Sequence, residues 1–111
     1  MGIQDFNKEF EKFFNELVQR VQNKQVEYAR NGDPFHNFNM VASARKEQPE
    51  TALLGMAMKH IISMFDMIDD IEQGYYPNSK MADEKLGDII VYMCLLRTMI
   101  HSKNNPVELP F

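Results

Sequence analysis

Three stretches of the chain repeat their apolar residues with the period of an α-helix, and turn-forming residues separate them. In the first, Phe6, Phe10, Phe13, Leu17, Val21 and Tyr28 recur at intervals of three, four and seven, with Phe14 and Val18 widening the stripe. Lys, Glu, Gln and Asn fill the other face, which predicts an amphipathic helix over 5–30. Asn31-Gly32-Asp33-Pro34 stops it. A loop follows over 31–48, with a short helix around 38–44. Pro49, with Glu50 in the first turn, opens a second long helix running to about residue 73, and Gly74 ends it. Tyr75-Tyr76-Pro77-Asn78-Ser79 makes a turn, and Ser79 is the expected N-cap of a last helix over 80–103. The segment 104–111 holds two prolines and no helical pattern.

No stretch alternates as a strand does. The expected fold is all-α: one domain over 1–103, a bundle of three long helices plus one short helix, with 104–111 as a tail. From Ile89 to Leu96 the last helix is apolar nearly all round, and the chain carries nine methionines and eight phenylalanines. A chain of 111 residues has difficulty burying such a helix alone. Completion of the bundle as a homodimer or higher homo-oligomer is therefore expected.

Composition narrows the partners. Hydrophobic residues make up 44% and charged residues 25%, as in globular domains. A net charge of -4 gives no global support for nucleic-acid or membrane-surface binding. MGIQDFNKEF is too acidic and polar for a secretory signal, and Phe6 stands where a myristoylation motif needs Ser or Thr. The apolar run Ile89–Leu96 has eight residues and is too short to span a bilayer. The lone cysteine, Cys94, cannot form an internal disulfide and reads as a buried structural thiol. A cytoplasmic location follows, in the host cell if the chain is phage-encoded.

The candidate chemistry lies in two pairs of acids. Asp66 and Asp70 are one helical turn apart, as are Glu84 and Asp88, and the thirteen residues between the pairs include the turn. Antiparallel helices joined by that turn can set the four carboxylates side by side. Two like charges ~5 Å apart at an effective dielectric of ~20 repel by ~3 kcal/mol. A cation removes that repulsion, and hard oxygen ligands suit magnesium or manganese.

Helical projection adds neighbours. With Lys59 at zero, Ser63 lies at about 40°, Asp66 at about -20° and Asp70 at about 20°, a narrow polar stripe on a largely apolar helix. Such a stripe lines a polar cleft or an interface, or simply meets solvent. On the last helix Glu84 and Asp88 share a stripe with Val91, Leu95 and Met99, whose side chains should pack inward. The two acids then need a partner or a metal, or else serve as first-turn acids favoured by the helix dipole. Tyr92, one turn after Asp88, is either a hydroxyl donor to the same site or a core aromatic. In the loop, Phe35, His36 and Phe38 are candidates to stack a base, Asn37 to read its edge and Arg30 to meet a phosphate. Equally, both Phe side chains can anchor the loop to the core while Asn37 caps the short helix. His60 lies about 100° from the Lys59 stripe and is a weaker ligand candidate. His101, near a helix C-terminus, needs no further role.

Taken together, Tyr28-Ala-Arg-Asn-Gly-Asp-Pro-Phe-His-Asn-Phe38, Met58-Lys-His-Ile-Ile-Ser63, Asp66-Met-Ile and Glu84-Lys-Leu-Gly-Asp88 resemble the MazG-like all-α nucleotide pyrophosphatase superfamily, in particular its small phage-borne relatives with nucleotide-modification-associated domains. The resemblance spans roughly residues 24–100. It implies an oligomeric helical bundle whose acids hold magnesium against a nucleoside triphosphate. Water then cleaves between the α- and β-phosphates and pyrophosphate leaves. Carried over, Asp88 matches the final Asp of the second motif, Glu84 lies one residue before its Glu position, and Asp66 and Asp70 stand for the first pair. The resemblance makes Lys59 a phosphate contact and Ser63 its hydrogen-bonding neighbour. Both pairs here are spaced i, i+4 where the superfamily has i, i+3, and Lys85 stands at a Glu position.

Three functions are thus expected in order. The first is a magnesium-dependent (deoxy)nucleoside triphosphate pyrophosphohydrolase with Asp66, Asp70, Glu84 and Asp88 as its catalytic and metal-binding acids. The second is a non-catalytic phage protein that sequesters a linear or cyclic signalling nucleotide and so blocks host defence. The third is a helical inhibitor of a host protein.

Overall fold

The computed structural model describes residues 1–104, apart from the side chains of residues 26–28. Four helices and no strand occur among the described residues: α1 (Ile3–Tyr28), α2 (His36–Arg45), α3 (Pro49–Glu72) and α4 (Ser79–Asn104). This is the all-α arrangement of three long helices and one short one. Tyr28, the last residue of the expected α1 stripe, has its side chain outside the described residues. The expected tail lies outside them too, except Asn104, which closes α4.

The breaks between helices have local causes. Asn31 and Gly32 take positive φ values of 55° and 76°, and the Arg30 and Asp33 backbones exchange N–H···O bonds of 3.3 and 3.0 Å. The Asp33 carboxylate then accepts the Phe35 N–H at 2.9 Å and the Asn39 side chain at 3.3 Å, so Asp33 rather than Asn37 fastens the start of α2. Pro49 is the first residue of α3, and Gly74, at φ 94°, turns the chain after it. The cap of α4 is Asn78, whose side-chain oxygen accepts the Met81 N–H at 2.8 Å. The expected cap, Ser79, is already helical, because Asn78 reaches the orphan N–H one position earlier.

α3 and α4 form an antiparallel hairpin that places Glu50 against Lys103 at one end and His60 against Asp88 further along. α2 lies across α3, and Phe38, Leu53 and Met99 make the buried centre where the three helices meet. α1 runs parallel to α4: Phe13 is level with Asp83, Leu17 with Gly87 and Val21 with Val91. Because α4 begins at Ser79, the first turns of α1 reach past its end, and Phe6 and Phe10 remain exposed.

Two expectations change here. Cys94 is exposed, since its position on α4 faces the open groove between α1 and α4 rather than the core. And α3, not the run Ile89–Leu96, is the helix long and apolar enough to cross a membrane by length and composition alone, a criterion that core helices of soluble proteins also meet.

Candidate functional site

A cleft of about 340 Å³ opens where α1, α3 and α4 converge above the start of α2. Each helix presents one face to it. On α3, Met56, Lys59 and His60 stand at i, i+3 and i+4; on α4, Asp88, Val91, Tyr92 and Leu95 stand at i, i+3, i+4 and i+7. α1 adds Arg20, Val21 and Lys24, and α2 adds Asn37 and Phe38. A broader depression along the polar side of α1 is formed by that helix alone and is open to solvent.

Asp88 sits at the centre. Arg20 Nη1 donates to its Oδ1 at 3.5 Å, and His60 Nδ1 lies 3.6 Å from its Oδ2. The three side chains are 30%, 24% and 22% exposed, so the cluster is sheltered but wet. Contacts this long orient the groups without saturating them. Arg20 also donates to the Asp83 carbonyl at 3.4 Å, which leaves several of its five N–H donors for a further acceptor. Beside this cluster runs an aromatic row. The His60 and Tyr92 rings lie 5.2 Å apart with planes at 36°, and Tyr92 meets Phe38 edge-on at 6.3 Å.

Gly87 explains how Arg20 reaches Asp88. A Cβ at this buried position would lie 2.4 Å from Arg20 Nη1 and 2.9 Å from a Leu17 methyl. The glycine lets α1 approach α4 closely and the guanidinium lie across the α4 backbone. The Gly-Asp step of the Glu84–Asp88 segment therefore positions a cation as well as presenting an acid.

The cleft inverts the sign of the chain. Arg20, Lys24 and Lys59 bring three basic side chains, and Asp88 is the one acid among the described lining residues. Cations on converging walls of low dielectric focus a positive potential, and a guanidinium with two ammonium groups matches a phosphate.

Of the residues expected at a site, Lys59, His60, Asn37, Tyr92 and Asp88 meet in this cleft. Asp66, Asp70 and Glu84 are exposed and do not line it, and Ser63 is half-buried on α3 outside it. Among the described residues, no group of three or more His, Cys, Asp or Glu side chains is placed to hold a metal ion. The buried residues of α3 are Ala52, Leu53, Ala57 and Met67; beyond the first turn of the helix, Ala57 and Met67 lie about 80–160° round from Lys59. Lys59 reaches the cleft from its rim on a long side chain, whereas the short Asp66 and Asp70 do not. Phe35 packs against the Phe38–Leu53–Met99 core, as its alternative reading as a loop anchor expects, and does not line the cleft. Arg30 is exposed in the tight turn with Asp33, away from the cleft lining. His36 is half-buried and also outside it.

Magnesium or manganese does not fit the groups that the described residues bring to this cleft. Among the described residues Asp88 is the one carboxylate lining the cleft, and the Arg20 guanidinium beside it opposes a divalent cation there.

Arg20 and Lys24 line the cleft without having been singled out in the sequence, although a signal was there. Ile3, Phe6, Phe10, Phe13 and Leu17 alternate steps of three and four, and the next two places on that register are Arg20 and Lys24. Cations on the continuation of the register that carries Leu17 face the same side of α1 as that buried residue, toward α4.

No protein-family model, curated protein or solved structure matches the chain. The MazG-like resemblance therefore rests on the short motifs quoted above.

Proposed function

We propose that the cleft binds a nucleotide in the cytoplasm, with its phosphates between Arg20, Lys24 and Lys59 and its base along Tyr92. The observation that carries this reading is the convergence of three cations from two helices on one cleft with an aromatic wall, in a chain of net charge -4. A volume of about 340 Å³ suits a small ligand. Asn37 at the rim offers both an amide donor and an acceptor to a base edge. Asp88 faces the same space and suits a sugar hydroxyl better than a phosphate.

Binding without cleavage is the favoured form of this reading. Pyrophosphate release through a metal needs several acids around one cation, and among the described residues only Asp88 lines the cleft. A protein that holds an intact nucleotide lowers its free concentration, so sequestration of a signalling nucleotide is the biological use we favour.

The test is calorimetry against linear and cyclic ribo- and deoxynucleotides, with and without magnesium, followed by chromatography of the recovered ligand. A binding heat that persists without magnesium and recovery of intact nucleotide are expected. Loss of one charge-assisted contact, worth about 1.5–3 kcal/mol, should weaken affinity roughly 10- to 100-fold in Lys59→Met or Arg20→Met. No heat with any nucleotide would remove the proposal, and released pyrophosphate would restore the hydrolytic reading.

A further inference from the structure

α3 carries a second, unused face. Leu54, Met58, Ile61, Phe65 and Ile68 follow one another at steps of four, three, four and three, the spacing of a coiled-coil seam. Ile61 is half-buried, but Leu54, Met58, Phe65 and Ile68 are 49%, 45%, 61% and 50% exposed. This seam is centred about 100° round the helix from Leu53 and His60, next to Ala57, and its outer residues stay exposed after α2 and α4 have packed on α3.

We infer that this seam pairs two copies of the chain, α3 against α3, in antiparallel orientation about a two-fold axis near Ile61. Three features select a second copy over any other occupant. The seam is nearly symmetric about Ile61, with Leu54 seven residues before it and Ile68 seven after, so reversal lays Leu54 of one copy on Ile68 of the other. Self-complementarity of this kind is what a two-fold interface requires. Charge then fixes the direction. Asp69 and Glu72 flank the C-terminal end of the seam, and parallel pairing would set each against its own copy. Antiparallel pairing sets them against the partner's α3 N-terminus, where the helix dipole is positive and Glu50 is already engaged by Lys103. The area is also sufficient. The exposed parts of these side chains and of Ile62 amount to roughly 500 Å², at the upper end of what a monomer leaves bare and more than half of the ~800 Å² each partner gives a stable interface.

This pairing does not depend on what the cleft binds, because the two faces lie on different sides of α3. Sedimentation of the full chain should show a dimer at micromolar concentration. Phe65→Glu, at an exposed position, should give a monomer with unchanged helical content by circular dichroism. In a Cys94→Ser background, Leu54→Cys mixed with Ile68→Cys should cross-link under mild oxidation. Either variant alone should cross-link poorly. A wild-type monomer, a dimer that survives Phe65→Glu, or cross-linking of Leu54→Cys to itself would overturn the proposal. So would flotation of the wild-type chain with phosphatidylcholine vesicles that is lost in Phe65→Glu, since the seam would then be a membrane face.

Discussion

Gly87 sets the geometry of the cleft more than any charged residue does. Its missing side chain is the space through which Arg20 passes to Asp88. In Gly87→Ala the added methyl displaces the guanidinium, the free end of a flexible side chain, and presses on the Leu17 methyl, which belongs to a buried residue. Alanine gains about 1 kcal/mol of helix propensity over glycine, while overpacking costs about 1–3 kcal/mol. The net effect on stability is therefore small, a loss of about 0–2 kcal/mol. The effect on binding is expected to be larger and to equal that of Arg20→Met. Because both substitutions act through one guanidinium, the double variant should bind no more weakly than Arg20→Met alone. Calorimetry on the three variants checks this, and additive losses would show that Gly87 acts by some other route.

Among the elements, the α3–α4 hairpin is fastened at both ends. At the turn Asn78 caps α4, and Asn78→Ala should lower stability by about 1 kcal/mol in denaturant unfolding. At the far end the Lys103 ammonium hydrogen-bonds Glu50, and this contact, helped by the Glu50 backbone N–H, holds the carboxyl below its ordinary range. A carboxyl with a lowered folded-state pKa stabilises the fold above its unfolded value, near 4.3, and that contribution disappears as pH falls through the folded value. Lys103 is more than half exposed, so the pair is worth only about 0.2–1 kcal/mol. Glu50→Gln should therefore melt slightly below the wild type at neutral pH, and the gap should close on acidification below about pH 4. The extents of these helices were legible in the sequence because their causes are local: apolar period, Pro49, Gly74 and the Asn31-Gly32 break. The α4 cap was misplaced by one residue because Asn78 and Ser79 are both competent caps, and only the backbone path chooses between them. The site was half legible. Lys59, His60, Tyr92, Asn37 and Asp88 could be found on α2, α3 and α4, but the packing of α1 on α4, which brings in Arg20 and Lys24, depends on a glycine whose role is tertiary. Asp66, Asp70 and Glu84 stand apart from Asp88 because equal spacing along two helices does not fix how each helix is rotated about its axis.

At the scale of the whole molecule, α1 is the least integrated part and also one wall of the cleft. It touches α4 through Leu17, Arg20 and Val21, while its first turns extend beyond the end of α4. Few buried contacts mean a low free energy of local opening, so α1 should exchange its amide hydrogens faster than the α3–α4 hairpin. A ligand held between Arg20 and Lys24 on one side and Lys59 on the other would bridge α1 to α3, which share little direct packing. Binding then stabilises the docked state of α1 in proportion to ligand occupancy, by about 2.7 kcal/mol at a hundredfold excess of ligand over Kd. Hydrogen exchange followed with and without nucleotide should show new protection concentrated in α1 around residues 17–25, with little change in the turn near Gly74. Arg20→Met should remove most of that protection even at ligand concentrations that restore occupancy. Protection spread evenly over all four helices would instead mean that α1 is already docked, and that the ligand stabilises the fold as one unit.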